Sequence, residues 1–246
     1  MRNIRLIIEY DGTNYNGWQR QVSKFKTIQG EIEKAILKAT KAKANLHASG
    51  RTDSGVHAKA QVANFHTENK LPLKKLKRAL NAFLPKDISI IKTEQAPRAF
   101  HSRFSAKSKI YRYSILNRDS FSPFLRRYSL YIPYKINLSL MKKEAKALLG
   151  RHDFTSFKAA GAKEGSSVRK IKKIVIRKRK DDIITIDIES TGFVYNMARN
   201  IVGTLLEIGR GKFSPGSMAK ILKSKNRKNA GPTAPACGLC LIEVKY

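Results

Sequence analysis

Residues 169–190 read RKIKKIVIRKRKDDIITIDIES. Ile184, Ile186 and Ile188 alternate cleanly with polar side chains, and Ile171, Ile174 and Ile176 interleave with Lys and Arg. Period-two alternation marks strands, so 171–179 and 183–190 are expected to form a hairpin. Strands that neighbour each other as hairpins argue against a doubly wound sheet, in which helices separate successive strands. The fold class expected is α+β: a mainly antiparallel central sheet flanked by helices.

The remaining segments fit that class. Ile4, Leu6 and Ile8 alternate as a first strand. Ile28, Ile32, Ala35, Ile36 and Ala39 share one helical face, with Thr27 as N-cap. A Gly-rich loop, SGRTDSGVHA, precedes a strand at Gln61–His66, and Asp87–Ile91 and Lys107–Asn117 read as further strands. Pro72–Pro85 reads as a helix with Leu73, Leu76, Leu80 and Phe83 inward. Asn137 caps a second-half helix carrying Leu138, Met141, Ala145 and Leu148, with Gly150 just past its end. Asn196–Ile208 is helical through Met197, Ile201, Leu205 and Ile208; Ser214-Pro215 opens a short helix, and Gly238–Tyr246 is the last strand. The second half thus repeats the vocabulary of the first. Two similar lobes are expected, 1–105 with the Gly-rich loop and 106–246, joined without a linker.

The 246-residue chain carries 50 Lys and Arg against 18 Asp and Glu, a formal charge of +32. Such an excess repels itself in a compact state, so a polyanionic partner is expected over a merely solubilising surface. The cations concentrate at Lys74–Arg78, Lys107–Arg112 and Arg169–Lys180, the last on a strand suited to a phosphate backbone. No apolar run is long enough to span a bilayer, and MRNIRLIIEYDG is too short and too soon charged for a signal peptide. Cys237 and Cys240 are the sole cysteines, so no disulfide framework exists and a reducing cytoplasm is the natural compartment. With no second cysteine pair or local histidine pair, C-x-x-C on a strand reads as packing rather than a zinc site.

The densest chemistry lies in Gly50-Arg51-Thr52-Asp53-Ser54-Gly55-Val56-His57-Ala58. Read alone, it fits a simple turn in which Asp53 bonds its own backbone. Ser54 with His57 suggests a hydrolase pair, but G-x-S-x-G is absent and no partner acid is evident. Asp53 with His57 supplies two metal ligands, too few for a site. Asp53 alone suffices as a nucleophile or charge stabiliser if a cation such as Arg51 keeps it ionised. Glu9-Tyr10-Asp11-Gly12-Thr13 is similar to the strand-end D-x-D-G-T of phosphatases, but Glu9 stands where the nucleophilic aspartate belongs.

Taken in order, GWQRQ (Gly17–Gln21), GRTDSGVHA (Gly50–Ala58), QVANF (Gln61–Phe65), FHSRFSA (Phe100–Ala106), KIYRYSILN (Lys109–Asn117), HDFTSF (His152–Phe157), FVYNMARNIVG (Phe193–Gly203) and GLCLIEVKY (Gly238–Tyr246) resemble the TruA family of tRNA pseudouridine synthases over nearly the whole chain. The resemblance implies the pseudouridine synthase fold, a homodimer, no cofactor, and action on uridines 38, 39 and 40 of the tRNA anticodon arm. It places the catalytic aspartate on Asp53, the active-site tyrosine on Tyr111, and active-site arginines on Arg51 and Arg199, the latter expected to pair with Asp53. Ser54, Ser102 and Ala198 depart from the family's usual alanine, alanine and valine; none is a charged or aromatic functional position.

The reaction so implied breaks the C–N glycosidic bond, turns the uracil, and rejoins it through carbon. A carboxylate at C1′ can stabilise positive charge, capture the sugar, or remove a sugar proton to give a glycal. Tyr111 can stack on the loose ring and move a proton. A uridine in a stem must first flip out, at roughly a few kcal/mol. A non-catalytic RNA-binding protein would share the charge and sheet aromatics, but gains nothing from an anion such as Asp53 facing phosphates. A DNA-binding protein would need a helix-turn-helix or zinc-finger signature, which is missing.

Overall fold

The computed structural model describes residues 1–21, 25–159, 161 and 165–246. It is mixed α+β and its strands are mostly antiparallel. The chain divides into two compact units, Met1–Lys107 with Cys240–Tyr246, and Ser108–Leu239.

In the first unit, β1 (Arg2–Tyr10) lies between β3 (His57–Thr67) and β4 (Ile88–Ala96), antiparallel to both. Ile4, Leu6 and Ile8 are fully buried, as their alternation requires. Helix α1 (Ile28–Thr40) starts at Thr27, whose hydroxyl accepts the Gly30 N–H. Helix α2 (Leu73–Phe83) has a narrower buried stripe than its spacing predicts. Leu76 and Leu80 are buried, whereas Phe83 is 46% exposed, with the Lys38 ammonium 5.8 Å above its ring. The last turn is held to β4 by Asn81, whose amide donates to the Ile90 carbonyl (3.0 Å) and accepts the Ile90 N–H (2.7 Å), while Phe83 lies towards α1. Strand β4 continues five residues beyond the expected Ile91 because β1 pairs with the polar stretch KTEQA through backbone bonds, down to Asn3↔Ala96. The two-residue β2 (His47–Ala48) joins β3 antiparallel, His47 opposite Asn64. The last strand, β10 (Leu239–Lys245), runs parallel to β3, with Cys240 opposite His57. Cys237 is not on that strand. It sits in the single 3-10 turn Ala236–Gly238, because Pro235 turns the chain just before β10.

In the second unit, β5 (Ser108–Asn117), β9 (Ile183–Ser190), β8 (Val168–Lys178) and β7 (Gly150–Asp153) follow one another antiparallel, and β6 (Leu130–Ile132) adds to β5 in parallel. The 169–190 hairpin is present, with an irregularity between Ile171 and Lys173. Without it Ile171 and Ile176, an odd number of positions apart, would face opposite ways; the bulge lets both be buried. Helix α3 (Leu138–Ala145) is capped by Asn137, whose side chain accepts the Leu140 N–H. Helix α4 (Met197–Gly209) is the apolar centre: Ile201, Val202, Leu205 and Ile208 are fully buried, each contributing about 1.5–3 kcal/mol of gross burial energy. Helix α5 (Ser217–Ser224) packs Met218 and Ile221 inward.

Candidate active site

The loop between β2 and β3 is held from both ends. Ser49 donates its backbone N–H to Val62 (2.8 Å) and its hydroxyl to the Gln61 side chain (2.7 Å). Gln61 in turn donates to the Gly50 carbonyl at 2.9 Å. Further along, the Val56 N–H closes a turn onto the Asp53 carbonyl at 3.2 Å.

A second segment, residues 10–18, grips the same loop. The Tyr10 and Thr52 hydroxyls are 2.8 Å apart, and the Trp18 N–H donates to the Thr52 carbonyl at 3.0 Å. Tyr15 offers its carbonyl to the Ser54 hydroxyl at 3.0 Å and the Gly55 N–H at 3.4 Å. That segment is itself fastened to the start of α1, where the Ile28 and Gln29 N–H groups donate to Gly17 and Trp18. First-turn amides have no partner inside a helix, so these bonds satisfy donors that would otherwise need water. Burial keeps the Tyr10 phenol neutral and its pKa raised; burial and the hydrogen-bonded Asp87 do the same for Tyr15. Two glycines make the approach close enough. Gly17 has φ +79°, and a Cβ there would lie 2.6 Å from the Thr52 carbonyl oxygen.

Thr52 and Val56 are thereby buried, while Asp53 is half-buried and Arg51 exposed. A carboxylate and a guanidinium two positions apart are thus presented on a fixed backbone. The other loop readings find less support. Ser54 bonds Tyr15, while the buried His57 accepts the Gly12 N–H at Nδ1 (3.1 Å) beside Asp11 (3.1 Å); neither contact joins Ser54 to His57. Glu9-Tyr10-Asp11-Gly12-Thr13, set aside above as an imperfect phosphatase motif, belongs to the clamp on this loop. Sequence reasoning missed Tyr10, Gly12 and Gln61 as positioning residues. The available signal was two glycines set among Tyr, Asn and Trp immediately after a strand.

Tyr111 and Arg199 lie in the second unit. Tyr111, on β5 opposite Ile188, is 7% exposed and meets Phe193 edge-on, ring centroids 4.9 Å apart at 81°. Phe193 is a further aromatic that the sequence reading did not single out. Tyr113, two residues on, turns the same way and donates to the Pro235 carbonyl at 2.8 Å, while Arg112 pairs bidentately with Asp187 at 2.7 and 2.8 Å.

Arg199, in the first turn of α4, donates Nε–H to the Ala234 carbonyl (2.7 Å) and Nη1–H to the Asn196 side chain (3.2 Å). Residues 227–234 are fixed by fully buried Asn200. Its amide donates to Phe157 at 2.8 Å, and its oxygen accepts from Arg227 (3.1 Å) and Thr233 (2.6 Å). The guanidinium of Arg199 is therefore oriented by a satisfied polar network rather than left as a long surface side chain.

An antiparallel α+β scaffold with a strong excess of cations, and a loop that holds an aspartate and an arginine on a fixed backbone, fits the class of proteins that handle a polyanion such as RNA. Residues 6–105 and 145–246 match the family described as tRNA pseudouridine synthase. Over all 246 residues the chain is 48% identical to tRNA pseudouridine synthase A of Thermoanaerobacter sp. (strain X514), covering 100% of both chains. It is 49% identical to tRNA pseudouridine synthase A 2 of Clostridium tetani (strain Massachusetts / E88), covering 100% of this chain and 99% of that one. It is 47% identical, again with 100% of both covered, to the tRNA pseudouridine synthase A of Caldicellulosiruptor saccharolyticus. The chain belongs to the tRNA pseudouridine synthase family, and is an isomerase that converts uridine to pseudouridine in tRNA.

Proposed function

We propose that the substrate uridines are those at positions 38, 39 and 40 of the anticodon stem and loop, and that Asp53 is the carboxylate acting at C1′ of the flipped nucleotide. The immobilised GRTD loop carries this reading: Thr52 and Ser54, on either side of Asp53, are each hydrogen-bonded to the 10–18 segment. A carboxylate whose backbone cannot drift meets the developing positive charge at C1′ without reorganising, which is the source of most electrostatic catalysis. Stabilising that charge, capturing C1′ covalently, and removing a sugar proton all start from this carboxylate.

Arg51, exposed beside it, fills the space left by the extruded base and contacts its phosphates. Tyr111 stacks on the detached uracil so that it turns in place, and its hydroxyl moves a proton in the step that releases the C5 hydrogen. Arg199, oriented by Ala234 and Asn196, supplies the second cation for the ionised state of the reacting groups. The chain works without a cofactor, as a homodimer, in the cytoplasm. Among the described residues no helix is long and apolar enough to cross a membrane.

The direct test incubates purified protein with unmodified transcripts bearing uridine at 38, 39 or 40, followed by carbodiimide mapping. Pseudouridine at those positions and at no other is the expected outcome. Modification confined to another arm of the tRNA would refute the positional assignment.

A further inference from the structure

The FHSRFSA turn presents an aromatic surface that the reaction described above does not use. His47, on β2, packs tilted against His101 at 4.9 Å between ring centroids, and His101 likewise against Phe104 at 4.5 Å. The Arg103 guanidinium lies 5.5 Å from the Phe104 centroid. Phe104 is 76% exposed, and His47 and Arg103 are exposed too. What sets Phe104 apart from a singly exposed ring is the cluster: three rings and a guanidinium packed side by side with faces open to solvent.

The array is built, not incidental. His101 Nδ1 accepts the backbone N–H groups of Arg103 (3.1 Å) and Phe104 (3.4 Å), which leaves the proton of a neutral ring on Nε2. Burial, the neighbouring His47 and Arg103 lower its pKa in agreement. The turn is tied down beneath: fully buried Ser102 takes its N–H to Asn64 (2.9 Å) and its hydroxyl to the His47 carbonyl (2.5 Å). Asn64 donates to Asn3 (3.0 Å), and Asn3 donates to the Phe100 carbonyl (2.8 Å). Ser102, where the family usually has alanine, thus fastens the turn to the strand that carries His47.

That strand also fixes where the array acts. Residues 47–48 run directly into Ser49-Gly50-Arg51, so His47 is at most about 20 Å of extended chain from Asp53. Clustered, solvent-facing rings with a cation alongside, near a carboxylate that works on a flipped base, match the way single-stranded RNA is held. A second copy of this chain fits less well at this patch, since a symmetric contact would set Arg103 against its own copy.

We propose that His47, His101 and Phe104 form a nucleobase-binding surface that stacks an unpaired base flanking the target uridine, with Arg103 meeting its phosphate. The proposal rests on the pseudouridine synthase reading. It assigns Phe104 as a positioning residue, with no part in the chemical step.

An anticodon stem–loop carrying 2-aminopurine next to the target uridine tests it, by equilibrium titration of wild type, Phe104→Ala and Phe104→Trp. Stacking quenches 2-aminopurine. Wild type should quench on binding; Phe104→Ala should lose most of the quench and roughly tenfold in affinity, and Phe104→Trp should restore both. In turnover assays Phe104→Ala should raise KM far more than it lowers kcat. Unchanged quenching and affinity in Phe104→Ala would overturn the proposal, as would a change in sedimentation, which would make the surface a contact between copies. Absence of pseudouridine in the wild-type RNA would sink the functional reading separately, since the quench is read without turnover.

Discussion

A Cβ built on Gly12 would lie 2.0 Å from the carbonyl oxygen of Val56. No rotation relieves that overlap, since both partners are backbone, and Val56 closes the turn that carries Asp53. Gly12→Ala should therefore push the GRTD loop outward. The expected loss is about 1–3 kcal/mol of stability, with a fall in kcat of about a hundredfold if the carboxylate moves by about 1 Å. Thermal melts and single-turnover assays at saturating tRNA check both. Wild-type kcat in Gly12→Ala would show that the clamp does not set the position of the loop.

Asp53→Asn keeps the shape of the side chain but can neither attack C1′ nor balance its charge. The variant should fold, bind tRNA, and lose at least about a thousandfold in rate, about 4 kcal/mol of barrier. Near-normal turnover would remove Asp53 from the chemistry.

Tyr111→Phe separates stacking from proton transfer. The ring keeps its edge contact with Phe193, so RNA affinity should hold, while loss of the hydroxyl should slow turnover by about a hundredfold or more. Full activity would reduce the residue to a stacking surface.

Asp153 gives a pH-dependent expectation for the second unit. Its carboxylate accepts from the Thr155 N–H (3.0 Å) and hydroxyl (2.6 Å), with Lys225 at 3.4 Å. The Thr155 hydroxyl bond, with the smaller help of Lys225, holds its pKa below the ordinary 3.8. A depressed folded-state pKa contributes stability above the unfolded value, and that stability is lost as pH falls through the folded one. Wild type should therefore lose stability relative to Asp153→Asn below about pH 4, with the largest gap between them near neutrality. Parallel melting curves at pH 7 and pH 3 measure this; a gap that does not shrink in acid would place the stabilisation elsewhere.

Much of this architecture was legible in the chain because periodicity reports burial. Ile4, Leu6 and Ile8 announced β1, Thr27 and Asn137 announced their helices, and the Ile184–Ile188 alternation announced the hairpin. Where pairing is made by backbone alone, side chains carry no such signal: the polar end of β4, the two-residue β2, and the parallel seating of β10 on β3 were invisible. The site divides in the same way. Asp53 and Arg51 stood out by residue type, and Tyr111 and Arg199 came from family likeness rather than pattern. The parts that hold the loop, Gly12, Tyr10 and Gln61, act through contacts between residues tens of positions apart, and composition does not encode those. Phe83 misled because helical spacing predicts a face, not how completely its neighbours cover it.

The basic strand β8 offers the broadest test of RNA binding. Its cations are not equivalent. Arg169 is partly buried, donates to the Ser166 and Val168 carbonyls (2.8 and 2.7 Å), and has its pKa lowered by burial, so it belongs to the fold. Lys170, Lys172, Lys173, Arg177 and Lys178 are exposed. Each exposed cation that meets a phosphate releases condensed counterions, so tRNA affinity should fall steeply with salt, and the slope should shrink by about 0.7–0.9 for each contact removed. Reversing Lys172, Lys173 and Arg177 to Glu should weaken binding to many RNAs alike, with little change in the chemical step once tRNA is saturating. Reversing Arg169 should instead lower the melting temperature. If the triple reversal left affinity and salt slope unchanged, β8 would be a solvated hairpin and the phosphate grip would have to lie with the other basic stretches, Lys74–Arg78 and Lys107–Arg112.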